Sequence, residues 1–130
     1  MVVQELRPLC DFDFGYTQES VEWLQGYIER LRNSGEFDNV DVKNKLISMF
    51  GSFLGECVVR CYGGTWKLHE SGMWCVAFND DNMAFPLAKV EKQMDYGLED
   101  GIASFFKVIP TIFIAGPSTA KKPWWKFWSN

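Results

Sequence analysis

The stretch DVKNKLISMFGSFLGECVVRCYGG, residues 41–64, limits what this chain can fold into more than any other. Leu46, Phe50, Phe53, Leu54, Cys57, Val58 and Cys61 recur at steps of three and four, which lines them along one face of an α-helix. Ile47, Met49 and Val59 widen that face beyond a single stripe, as expected of a helix covered on more than one side. Asp41 is placed to cap the start, and Gly63-Gly64 after Tyr62 supply the left-handed backbone that commonly ends a helix. Within it, Gly51 and Gly55 each cost about 1 kcal/mol relative to alanine, so another element is expected to approach closely there.

The flanking segments fall into place around this central helix. The first sixteen residues lack a helical period and read as an extended arm, with a short strand possible where Phe12 and Phe14 alternate with Asp11 and Asp13. Thr17 opens a second amphipathic segment whose stripe is Val21, Leu24, Ile28 and Leu31, with acids early, Arg30 and Arg32 late, and Gly35 as its stop. The short connection EFDNV makes the two helices expected neighbours. After Gly64, two aromatic-rich runs around Ser71-Gly72 read as a β-hairpin, with Trp66 and Leu68 facing one way and Lys67 and His69 the other. The Asn79-Asp80-Asp81-Asn82 turn leads to a short strand, Met83-Ala84-Phe85, closed by Pro86. AKVEKQMDYG is helical in pattern up to Gly97, and GIASFFKVI carries a helical stripe that Pro110 should stop, after which residues 111–115 could add an edge strand.

The expected fold class is therefore α+β: two N-terminal helices, a small antiparallel β-meander of three to four strands packed on the central helix, then a C-terminal helix. Residues 1–116 form the expected single domain, and residues 117–130 a basic, Trp-rich tail. That tail reads either as an interfacial anchor or as tryptophans folded back on the body with lysines keeping the end soluble. One short tail without a second lipid signal binds membranes only weakly, which favours the second reading.

Charge and cysteine usage narrow the function classes. The net charge is −4, yet without Lys121, Lys122 and Lys126 the first 120 positions carry ten basic against seventeen acidic side chains, a net of −7. An acidic body speaks against nucleic acid, and for a basic partner or only for solubility. No apolar run approaches the roughly eighteen residues of a membrane span, and the N-terminus lacks a signal-peptide pattern, so the cytoplasm is the expected compartment. Cys10, Cys57, Cys61 and Cys75 fit that compartment as four buried thiols. A zinc site from Cys57, Cys61, His69 and Cys75 matches no finger spacing, and neither metal nor cofactor is expected. The glycine pairs make no phosphate loop. His69 is the only histidine and falls beside a hairpin turn, where a structural or exposed role is commoner than a catalytic one. Glu56 either marks the solvent side of the central helix or points inward to Arg60 or Lys89.

Four segments carry a family resemblance: Gly51-Ser52-Phe53-Leu54-Gly55-Glu56, Tyr62-Gly63-Gly64-Thr65-Trp66, Phe85-Pro86-Leu87-Ala88-Lys89-Val90-Glu91-Lys92, and Asp100-Gly101-Ile102-Ala103-Ser104-Phe105-Phe106. Together they resemble small bacterial proteins of the DUF3806 type over roughly residues 40–109. The resemblance is one of glycine, aromatic and proline punctuation; it implies a shared fold and no catalytic residue. By association it also implies a non-enzymatic immunity protein that binds and neutralises a cognate toxin, a basic protein. On that reading Asp80, Asp81, Asp95, Glu99 and Asp100 are the expected contact residues, steering the encounter by charge. Two alternatives stand beside it: a small-ligand protein or enzyme with a pocket beside Glu56 and His69, and a peripheral membrane protein acting through the tail.

Overall fold

A computed structural model describes residues 15–115. The expected arm strand, Cys10 and the Trp-rich tail lie outside the described residues. Four α-helices, α1 (Gln18–Asn33), α2 (Val40–Tyr62), α3 (Pro86–Tyr96) and α4 (Ile102–Ile109), accompany strands β1 (Thr65–Leu68), β2 (Trp74–Ala77) and β3 (Met83–Ala84). The fold mixes helix and sheet and is mostly helical.

Helix α1 forms for the reasons its sequence gives. Thr17 accepts the Ser20 backbone N–H at 3.2 Å, and Val21, Leu24 and Ile28 are wholly buried. The central helix α2 begins at Val40, one residue before Asp41. Asn39, in extended backbone, accepts the Val42 N–H at 3.1 Å and is the cap, leaving the Asp41 carboxylate in the first turn where the dipole still favours it. Gly63 ends the helix at φ 87°. Phe50, Phe53, Leu54, Cys57 and Val58 are buried as expected, whereas Cys61 is exposed and its thiol donates to the Tyr16 carbonyl at 3.3 Å. The expectation of four buried thiols thus fails at Cys61, which lies in the last turn of the helix.

The sheet has three strands in the order β1-β2-β3, both pairs antiparallel. Its register places Trp66 opposite Val76 and Val76 opposite Ala84, one row across all three strands. That row faces α2: a Cβ on Gly55 would stand 2.2 Å from Trp66 Cη2. Leu68, two residues on from Trp66 in the same strand, is exposed. Gly51 provides the second close approach, since its Cβ would lie 2.7 Å from the Leu87 Cα at the start of α3.

Helix packing departs from the expectation drawn from chain order. The most extensive interhelical contact is α2 with α3, and α1 packs chiefly on α4. The buried face of α4, with Ile102, Phe105, Phe106 and Ile109, supplies the apolar surface that α1 covers. The α1 and α2 helices meet through Tyr27 set edge-on to Phe50 at 6.2 Å. The region after the meander holds two helices, joined by a 3₁₀ turn over Gly97–Asp100, rather than one C-terminal helix. Pro110 does not stop the chain. It adopts φ −64° and ψ −29°, which a helix accepts, and its missing N–H shifts the winding to π-helix over Pro110–Ala115 instead of the expected edge strand.

Candidate functional site

A groove of about 530 Å³ lies between the second half of α2, the first turn of α3 and the hairpin. Ser52, Glu56 and Arg60 stand four residues apart on α2 and form its floor, because side chains at that spacing share a helix face. Trp66 and Trp74 wall it from the sheet, and Leu87 closes it from α3. Tyr16 covers the remaining side, stacked on Phe53 with centroids 5.6 Å apart.

Glu56 points into this groove and is already engaged. One carboxylate oxygen accepts from Trp66 Nε1 at 3.1 Å and the other from Arg60 Nε at 3.0 Å. The Arg60 guanidinium in turn lies 4.1 Å over the Tyr16 ring. The Trp66 hydrogen bond first, then Arg60, holds the Glu56 carboxyl below its ordinary range against the opposing effect of burial. A carboxylate depressed in this way is a poor general acid at neutral pH and a weak base, so its role is that of a clamp. Because the folded value is lowered, the stability that Glu56 contributes is present above the ordinary carboxylate range and is lost as pH falls through its folded value. Trp66→Phe removes the leading donor. Carboxyl NMR titration of Glu56 in that variant should show its midpoint moved upward toward the ordinary value.

His69 does not join Glu56. Its Nδ1 accepts the Ser71 backbone N–H at 3.1 Å and sits 2.8 Å from Ser71 Oγ, while its ring meets Phe85 edge-on at 5.2 Å. It belongs to the hairpin turn and not to the groove lining, so the pocket expected beside Glu56 and His69 contains only the first. Among the described residues no group of three or more His, Cys, Asp or Glu side chains is arranged to hold a metal. Burial pushes the thiols of Cys57, Cys61 and Cys75 upward, which disfavours the thiolate that metal binding and nucleophilic attack both require.

The five acids expected to contact a partner fall into separate places. Asp80 and Asp81 are exposed in the β2–β3 turn, which Asn79 organises by accepting from the Asp81 and Asn82 N–H groups, each at 2.9 Å. That turn lies near the C-terminal end of α2, since a Cβ on Gly64 would meet Phe78 at 3.1 Å. Asp95 pairs with Lys43 near the N-terminal end of the same helix. At 1.5 Å per residue the two ends stand about 30 Å apart, so the acids do not make one patch. Glu99 is exposed in the 3₁₀ turn. Asp100 accepts from the buried Lys89 ammonium at 3.3 Å and does not cap α4. The α4 start is capped from other helices: Gln93 Oε1 accepts the Ile102 N–H, and Gln25 Oε1 accepts the Ala103 N–H, both at 3.0 Å.

Burial lowers the Lys89 pKa while Asp100 opposes that shift. With the folded value depressed, the desolvation cost is present at neutral pH and is relieved as pH rises through the folded value. Asp100→Asn leaves the ammonium, only 7% exposed, without its carboxylate. Urea unfolding at pH 7 should show a loss of about 2 to 3 kcal/mol.

Trp74 and Tyr16 were not legible as groove residues, because they enter from separate elements with no shared spacing; Gly55, which faces Trp66, and Gly51, which faces Leu87, were the available signal. No family model, curated protein or solved structure matches the chain. No helix among the described residues is long and apolar enough to cross a membrane.

Proposed function

We propose that this chain is a non-enzymatic immunity protein of the DUF3806-like type that acts in the cytoplasm, binding a basic cognate toxin and covering its active or substrate-binding surface. The observation that carries this reading is the use of charge. The carboxylates best placed for chemistry are consumed internally, Glu56 by Trp66 and Arg60 and Asp100 by Lys89, while Asp80, Asp81 and Glu99 face solvent without an ion-pair partner among the described residues. Such an arrangement suits electrostatic steering toward a basic surface better than acid–base catalysis. The family resemblance supports the same reading. The test is a pull-down with the full chain from a lysate of its own organism at low and high salt. A basic, co-encoded protein that arrests growth when expressed alone, and that is lost at high salt, is the expected catch; an acidic or absent partner contradicts it.

The groove favours a second reading, a small-ligand site, because its walls are aromatic and open to solvent. Trp74, half exposed at 50%, would report an aromatic ligand by a change in its fluorescence, and Trp74→Phe would remove that signal.

A further inference from the structure

A different face of the molecule holds the surface best suited to a basic partner. Of the seven large apolar side chains that stand exposed among the described residues, Leu68, Met73 and Trp74 belong to the hairpin and the other four converge elsewhere. Val40 and Val42 open α2, Tyr96 ends α3, and Leu98 lies in the following 3₁₀ turn; Val40, Tyr96 and Leu98 are 65%, 62% and 61% exposed. Two contacts bring these ends to one corner. The Lys43–Asp95 ion pair ties the start of α2 to the end of α3, and Gly97 lies so close to the end of α1 that a Cβ there would meet Arg32 Nη1 at 3.0 Å.

The rim of this corner is acidic. Glu36, Asp38, Asp41 and Glu99 are all exposed there, and none forms an ion pair among the described residues. The two bases at the corner are spent, Arg32 on Glu29 and Lys43 on Asp95, and Lys45, one turn beyond Asp41, forms no ion pair with it. An apolar centre whose rim is predominantly acidic, four unpaired carboxylates beside the single Lys45, has the make-up of a protein interface, with burial at the middle and steering from the edge. The sign selects the occupant. Nucleic acid and acidic proteins are repelled, and a protein presenting apolar side chains within a lysine- or arginine-rich face is complementary.

We propose that this corner, with Val40, Tyr96 and Leu98 as apolar contacts and Glu36, Asp38 and Asp41 as charged rim, is the docking surface for a basic protein partner. It rests on the neutralisation reading above and moves its contact site away from the Asp80-Asp81 turn, about 30 Å distant along α2.

Site-specific photocrosslinking tests it. Tyr96→benzoylphenylalanine and, separately, Trp74→benzoylphenylalanine are placed in the full chain, and adducts formed in a lysate of its own organism are identified. The expected result is a basic protein trapped from position 96 and not from position 74, with the adduct abolished at high salt. The purified partner should then bind a Glu36→Lys, Asp38→Lys double variant on the order of tenfold more weakly and Trp74→Ala within about twofold of the parent, with melting temperatures confirming that both variants fold. The same basic partner trapped only from position 74 overturns this docking surface and leaves the neutralisation reading standing. A second copy of this chain, or an acidic protein, trapped at position 96 overturns the surface as well. No adduct from either position contradicts both the surface and the reading.

Discussion

Gly51→Ala and Gly55→Ala should each destabilise the fold by about 3 kcal/mol or more, against the gain of about 1 kcal/mol that alanine brings to an ordinary helix interior. At Gly51 the new methyl would lie 2.7 Å from the Leu87 Cα and 2.6 Å from its Cγ. A side chain can rotate away but a backbone atom cannot, so α3 itself must retreat from α2 along their most extensive contact. At Gly55 the clash is with the Trp66 ring, 2.2 Å from Cη2 and 2.4 Å from Cζ2, with Pro86 Cγ at 3.0 Å blocking retreat on one side. Moving that ring withdraws Nε1 from Glu56, so overpacking and the loss of a charge-assisted hydrogen bond act together. Urea unfolding followed by circular dichroism measures both losses. Carboxyl NMR separates them, since only Gly55→Ala should also raise the Glu56 titration midpoint.

Gln93→Leu should cost about 3 to 5 kcal/mol, a large effect for a substitution that keeps roughly the same volume. Gln93 is wholly buried and joins three helices. Its amide nitrogen donates to the Gln25 carbonyl and to Glu29 Oε2, and its amide oxygen accepts the Ile102 N–H at the start of α4, each at 3.0 Å. Leucine fills the space and leaves an N–H, a carbonyl and a carboxylate without this partner. The α4 start has only its neighbouring cap from Gln25 in compensation. Hydrogen exchange should show the first turn of α4 losing protection ahead of α2, because α2 keeps its own cap at Asn39. Equal loss of protection in both helices would mean that Gln93 is not a local latch.

The two substitutions also show which parts of the fold a single chain reveals. Gly51 and Gly55 announced themselves, since each is costly in a helix and only a close neighbour offsets it. Which neighbour came was not visible: Trp66 lies eleven residues beyond Gly55 and Leu87 thirty-six beyond Gly51. The stripe of α1, the end of α2 at Gly63 and the hairpin were legible because each rests on local periodicity or on a residue that tolerates positive φ. The pairing of α1 with α4 was not, since loop length says which helices are adjacent in chain order and nothing of a later helix that covers the same face. Gln93 looked like one polar residue in an amphipathic run; its cap on α4 comes from a tertiary contact that no local motif encodes. The candidate site followed the same pattern. The Glu56–Arg60 pair was legible from its spacing of four, whereas the Trp66 bond and the Tyr16 stack were not. No local motif marked Val40 and Val42 as part of an exposed corner, which emerges only when Tyr96 and Leu98 are seen beside them.

Growth is the most direct test of the central claim, that this chain neutralises a basic protein by binding it. The co-encoded basic partner is expressed in a bacterial host alone, with the parent chain, and with the Glu36→Lys, Asp38→Lys variant. The expected result is arrest with the partner alone, full growth with the parent chain, and growth reduced toward arrest with the variant at equal expression. A partner that is harmless by itself, or whose arrest the parent chain does not relieve, would contradict the claim.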